Sequence, residues 1–439
     1  VSLLGAVLAL PLLVVSAGAD PAAAKPPRMD LLIGVNAQLR GGYTQSPFVT
    51  GPDAAPLASL GGASNAAPSA EFDTIVTPAL TFGINRSQLK FSLGYQPRLF
   101  YDILAATPAS VYHGVTTNLA LGKSETWLLT IGANLSVGGL DFGQAGLAVN
   151  QFSGSPTKGG SSALSFYSTT GYVRLEHPLS QHLKFTTTQT AGKLGTPPAG
   201  GTSYLAGAAL STVPALQSQE RLDSDWLFTY SVNPRHALRL GVLASLVTFP
   251  ASGTYLSYWP GLGYEGQFGR TDKFAFRAGV FKYWTNRFPG VYLKPRYLIT
   301  GAFTYEHNFG AINLPRLVLS AELTEQPYYD IVYGDVAPRA TLNLALKNQF
   351  SRKFSGRVQL RDYSQAYFTG LRWLPIPKQR DKNVIVASAE VTYQFERWLG
   401  FTGGLYALNR WIQASATLPY TQLRDTYAYM GVQGTYDVR

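Results

Sequence analysis

The chain has 439 residues, of which 14% are charged and 13% aromatic, with a net charge of +11 and no cysteine. The missing cysteine excludes disulfides, thiolate metal sites and a lipid-modified cysteine anchor. Mean hydropathy is neutral and no apolar run reaches the roughly 20 residues of a spanning helix, which excludes a helical membrane protein.

In chain order, an apolar run over 3–15 is followed by Ala17-Gly18-Ala19, the small-x-small signature of a signal peptide covering 1–19. Residues 20–30, rich in Ala and Pro, form a periplasmic lead-in. A single domain over 31–439 follows, because no helical period or linker divides it.

That domain is written in alternating segments. In Gln88-Leu89-Lys90-Phe91-Ser92-Leu93-Gly94-Tyr95, the residues Leu89, Phe91, Leu93 and Tyr95 share one face, and Lys90, Ser92 and Gly94 share the other. A period of two with one apolar face is a strand between lipid and water. Such strands are expected near 31–42, 72–84, 88–101, 111–122, 126–138, 163–176, 182–193, 219–232 and 235–248. The second half continues near 256–269, 273–286, 295–309, 314–328, 335–350, 354–367, 384–397, 399–412 and 425–438. The expected fold class is all-β: a transmembrane antiparallel up-and-down β-barrel of about eighteen strands, an even number as bacterial single-chain barrels have.

The connections alternate in length. Asn85-Arg86-Ser87, Gly122-Lys123-Ser124, Asn233-Pro234-Arg235, Arg270-Thr271-Asp272 and Ser351-Arg352-Lys353 read as short turns. The segments 43–71, 139–162, 194–217, 369–383 and 413–424 read as long loops. Short turns on the periplasmic side leave both termini periplasmic. Proline cannot donate to a ladder, so Pro97, Pro260, Pro327 and Pro338 are expected in the outer third of their strands, while Pro78 falls awkwardly in mid-strand. Tyr95, Trp127, Phe185, Trp226, Phe228, Phe268, Phe309, Phe350, Phe395 and Trp398 are expected at the lipid interfaces.

On this rhythm, from about 31 to 439, the chain resembles the outer-membrane β-barrel, porin-like class of Gram-negative bacteria. The resemblance implies an integral outer-membrane location, contact with lipid and lipopolysaccharide, and insertion by the barrel-assembly machinery. The end, Tyr436-Asp437-Val438-Arg439, keeps the alternation but places a basic residue where such barrels carry an aromatic one. Strand number, a bare signal-plus-barrel layout and large Gly/Ser loops are also similar to the stand-alone barrels of myxobacterial exopolysaccharide export. That likeness implies a separate periplasmic polysaccharide-export protein as partner.

Alternation assigns to the lumen the basic residues Lys90, Arg98, Arg174, Lys184, Arg221, Arg239, Arg277, Arg296, Arg316, Arg339, Lys347, Arg357, Arg361 and Arg410. It also assigns there the acidic Asp223, Asp225, Glu265, Glu306, Glu322, Glu390 and Glu396. A basic wall concentrates anions, whereas Arg and Glu paired on neighbouring strands only stiffen it. The inward aromatics Phe100, Tyr172, Trp259, Phe281, Tyr283, Tyr363 and Tyr406 are candidate stacking surfaces for sugar rings.

Catalysis finds no support: His113, His177, His182, His236 and His307 are scattered, and there is no H-E-x-x-H, G-x-S-x-G or P-loop. No catalytic, cofactor or metal residues are assigned. The basic residues are spread around a wall and not gathered in a stripe, which argues against nucleic acid. The expected function is an outer-membrane channel for polar solutes, with a secreted polysaccharide as leading cargo. The alternatives are a general-diffusion porin of mild anion preference and an adhesin or structural barrel acting through its outer loops.

Overall fold

A computed structural model describes residues 28–44, 69–86, 88–103, 110–123, 125–140, 164–195, 218–249, 253–285, 296–309, 317–330, 335–365, 380–413 and 421–438. They form eighteen antiparallel strands: β1 (Arg28–Thr44), β2 (Ser69–Asn85), β3 (Leu89–Asp102), β4 (Ser110–Lys123), β5 (Trp127–Leu140) and β6 (Leu164–Pro178). The next six are β7 (Leu183–Gly195), β8 (Gln219–Asn233), β9 (His236–Phe249), β10 (Gly253–Phe268), β11 (Asp272–Thr285) and β12 (Arg296–Asn308). The ring is completed by β13 (Leu317–Asp330), β14 (Asp335–Gln349), β15 (Phe354–Gln365), β16 (Arg380–Gln394), β17 (Leu399–Gln413) and β18 (Thr421–Val438). Every strand pairs with its successor, and β18 pairs back onto β1 from Leu31↔Val438 to Thr44↔Asp425, so no edge is left. Closure is what a β-structure needs in lipid, where an unpaired backbone group has no water to bond.

The two faces differ as alternation requires. Leu80, Leu93, Leu135, Leu240, Leu262, Val358, Leu405 and Met430 are exposed on the outside. An apolar band around the whole circumference is untenable in water and natural in a bilayer. The expected interfacial aromatics lie on this outer face: Phe268, Phe309, Phe350, Phe395 and Trp398 are about half exposed beside the short turns. Phe185 packs at 5.0 Å on Phe228 across the β7–β8 seam.

One end of the barrel carries the short connections, among them 86–88, 234–235, 269–271 and 350–353, and both ends of the strand ring lie there. Gly269, in one of these turns, has φ of 64°, a left-handed conformation that favours glycine. At the other rim β9 and β10 are joined through 250–252 alone, followed by Gly253 at φ 110°.

The early start of β10 corrects one expectation: Pro260 sits at mid-height, not in the outer third. The β10–β11 ladder skips that position, running to Tyr258↔Lys282 and resuming at Gly261↔Gly279. The awkward Pro78 also finds its reason. The β2–β3 ladder stops at Val76↔Leu99 and resumes at Leu80↔Tyr95, and the gap is centred where Pro78 and Pro97 stand opposite each other. Two residues without N–H groups share one gap in one seam, while the ladders to β1 and β4 run through unbroken.

Candidate pore lining

Direct Cα partners point to the same side, so the registers fix the inner face strand by strand. From β6 to β12 most of the inward cations among the described residues are paired with carboxylates. Arg174 and Glu176, two apart on β6, pair at 2.8 Å, and Lys184 on β7 reaches the same carboxylate at 3.1 Å. Arg221 pairs with Asp223 at 2.6 Å on β8, and Asp223 also accepts a hydrogen bond from the Ser245 hydroxyl on β9. Arg239 on β9 meets Glu265 on β10 at 2.6 Å, and Lys273 on β11 meets Glu306, its direct partner on β12, at 3.0 Å. The solvated pairs among these, Arg239–Glu265 and Lys273–Glu306, contribute about 0–1 kcal/mol each, so their main effect is to offset charge on the wall.

Arg277 on β11 is held differently. Its side chain lies across the wall toward β9: an added Cβ would stand 3.2 Å from its Nε at Gly261 and 3.7 Å from a terminal nitrogen at Gly241. The bare glycines clear the path, and the guanidinium interacts electrostatically with Asp225 on β8. Its carbon stands 4.3 Å from the ring centre of Trp259, a cation–π geometry. Above this cluster Val247, Phe249, Tyr255 and Phe281 face inward yet are at most 3% exposed. Here the wall is packed away from solvent.

The wall from β13 to β16 has a different character. Lys347 and Arg357 are exposed and stand directly opposite each other on β14 and β15; Arg361 lies four residues further along. Among the described residues these three form no ion pair, and neither does Lys90 on β3. Glu390 is the direct partner of Arg357, but its carboxylate accepts a 2.7 Å hydrogen bond from the Tyr429 hydroxyl on β18. Beside them the Asn343 amide donates to Glu322 at 3.4 Å and its carbonyl accepts from Gln359 at 2.7 Å. Near the short-turn end a cavity of about 480 Å³ opens between Glu265, Lys273, Glu306, Glu322 and Asn343.

Of the candidate lumen residues, Lys90, Arg174, Lys184, Arg221, Arg239, Arg277, Lys347, Arg357, Arg361, Asp223, Asp225, Glu265, Glu306, Glu322 and Glu390 occupy inward positions. Glu396 does not: β16 ends at Gln394, which puts it in an exposed turn. Arg316 lies outside the described residues, as do the side chains of Arg98, Phe100, Tyr283, Arg296, Arg339, Tyr363 and Arg410.

The stacking candidates fare unevenly. Trp259 is 5% exposed with Arg277 on one face, so it presents no open ring to a sugar, and Phe281 is equally buried. Tyr172 lies with its ring against Gly132, and Tyr406 packs 6.0 Å from Tyr427. Residues not singled out before are Glu176, Lys273, Asn343, Gln359 and Tyr429. Each keeps the inward parity of its strand, so extending the alternation to every polar residue finds them.

Among the described residues no three metal-ligating side chains converge. No protein-family model and no curated protein matches the chain. Solved structures similar to it include Pseudomonas aeruginosa OccK11 (OpdR), 12% identical over 94% of this chain and 96% of that one, with a TM-score of 0.42. P. aeruginosa OccK2 (OpdF), solved in complex with glucuronate, is 10% identical over 93% and 98%, with a TM-score of 0.44. Acinetobacter baumannii OccAB4 is 9% identical over 95% and 100%, with a TM-score of 0.43. A likeness this distant says nothing of what crosses the lumen. By its closed strand ring and its lipid-facing belt, the chain is an integral outer-membrane β-barrel of porin-like build.

Proposed function

We propose that the barrel is a diffusion channel for small polar solutes with a mild preference for anions. The observation that carries this reading is the run of Lys347, Arg357 and Arg361 on β14 and β15, which form no ion pair among the described residues, set against a β6–β12 wall most of whose inward cations are paired with carboxylates. A field left on one side of a low-dielectric passage raises the local concentration of anions without a tight site. A secreted polysaccharide handed over by a separate export protein was the leading cargo of the sequence reading. It came from the likeness to exopolysaccharide-export barrels, with the inward aromatics as secondary support; the burial of Trp259 and Phe281 takes away part of that support, and general diffusion takes its place. The loops on which an adhesin would rest lie outside the described residues.

In this reading the short turns and the start of β1 and end of β18 face the periplasm, and the barrel is inserted by the barrel-assembly machinery. The lumen transports and does not catalyse. Refolded protein in a planar bilayer under a salt gradient tests it: open channels with a reversal potential of anionic sign are expected. Cation preference, or a barrel that never conducts, overturns it.

A further inference from the structure

Cations are packed more densely into the short connections of the barrel than into the long ones. The long connections 45–68, 103–109, 141–163, 196–218, 286–295 and 366–379 hold only Lys158, Arg287, Lys294, Arg372 and Lys378 in sequence. The much shorter opposite rim carries Arg86, Lys123, Arg235, Arg270, Arg352, Lys353 and Arg397, all exposed. Its described turns offer Glu125 and Glu396 as acidic counterparts, and Asp272, two residues after Arg270, is engaged by Thr271, Tyr305 and His307. Among the described residues none of these seven cations forms an ion pair. Arg235 borders the cavity at the mouth of the lumen. The other six are spread over the β2–β3, β4–β5, β10–β11, β14–β15 and β16–β17 turns.

Each sector of this collar but the first stands beside a lipid-facing aromatic. Lys123 is the direct partner of Trp127, and Phe268 precedes Arg270 by two residues. Phe350 precedes Arg352 by two, and Arg397 lies between Phe395 and Trp398. Lys353 is fixed at this level by donating to the Phe395 carbonyl at 2.7 Å. Aromatic side chains of this kind mark the depth at which hydrocarbon gives way to headgroups. Cations one or two residues beyond them stand at headgroup level.

We propose that the short-turn rim is a docking surface for anionic phospholipid headgroups of the leaflet on that side. The collar's distribution favours a leaflet over an acidic protein. A protein partner covers one sector, whereas a leaflet meets the barrel at one depth on every side, and these cations stand at one depth in turns between β2 and β5 and between β10 and β17. Lys and Arg just beyond the apolar band attract anionic lipid by Coulomb attraction that falls off within a Debye length. The inference rests on the membrane placement of the barrel and is independent of what the lumen passes.

The test is lipid retention by the full-length barrel in vesicles of phosphatidylethanolamine with a minor share of phosphatidylglycerol. After extraction in mild detergent, the lipid still bound is identified by native mass spectrometry. The wild type is expected to retain phosphatidylglycerol above its bulk share. The combined substitution Arg86→Gln, Arg270→Gln, Arg352→Gln, Lys353→Gln and Arg397→Gln should lower that enrichment by about threefold or more. Lys158→Gln, Arg287→Gln and Arg372→Gln together, at the other rim, should leave it unchanged. Heat-modifiable migration on gels reports whether each variant is folded. Should the collar variant not fold, the wild type is measured at rising salt, where the enrichment must fall. Enrichment that is absent, indifferent to salt, or equally lost in the other-rim variant overturns the proposal. So does capture of poly-glutamate without phosphatidylglycerol enrichment, which would point to an acidic protein instead. Bilayer conductance tests the channel reading separately, so either can fail alone.

Discussion

The Tyr429 hydroxyl on β18 reaches Glu390 on β16 at 2.7 Å, across the strand between them. Gly404 on β17 makes the crossing possible, because a Cβ there would stand 2.6 Å from both the Ala389 carbonyl and the Tyr429 ring. The bond turns the one carboxylate that faces Arg357 directly toward β18, and Glu390 makes no ion pair with that cation.

Removing the hydroxyl should therefore change selectivity. In Tyr429→Phe, Glu390 is free to turn toward Arg357, and the reversal potential in a salt gradient should move toward zero while conductance stays similar. An unchanged reversal potential would show that Glu390 does not reach Arg357.

The two walls should respond differently to loss of charge. Lys347→Gln with Arg357→Gln removes unneutralised cations and should abolish most of the anion preference. Arg239→Gln with Glu265→Gln deletes a matched pair and should leave the reversal potential within error of wild type. Equal shifts in both double variants would mean that the walls are not electrostatically distinct.

Arg277 and Asp225 should be coupled. Arg277→Met takes from Asp225 its largest electrostatic partner and should destabilise the barrel, read as a lower urea midpoint in vesicles. Asp225→Asn in the same chain should recover most of that loss. Gly279→Ala should be as costly by a separate route, since the new methyl meets the Pro260 carbonyl and the Trp259 indole at once.

Exposure on the outer face is exposure to lipid. Leu262 is 64% exposed near mid-height, and a soluble protein would tolerate arginine there. In the bilayer Leu262→Arg should cost about 2–4 kcal/mol in the same urea measurement. Thr304→Arg, exposed on the inner face of β12, should cost far less. Similar costs at both positions would contradict the assigned faces.

Alternation with a period of two is a local property, and everything that depends on it was legible before any coordinates. All eighteen strands, the side each residue takes, the lipid-facing aromatics and the inward parity of Lys347 or Arg357 follow from it. Prolines were read less well. Their tolerance depends on what stands opposite, and the alignment of Pro78 with Pro97 is a register between two strands rather than a feature of either.

The sequence by itself determined a closed barrel's strand list, its two faces and the crowding of cations into the short turns, because each is written within one strand or one turn. Tertiary structure decided which charges cancel and which stand free. Arg239 meets Glu265 across a seam, Arg277 passes over the glycines of two neighbouring strands toward Asp225, and Tyr429 engages Glu390 over Gly404. Those contacts depend on register, on the gaps left by glycines and on the closing of β18 against β1. No residue carries that information alone, because the side chains involved lie up to three strands apart in the ring.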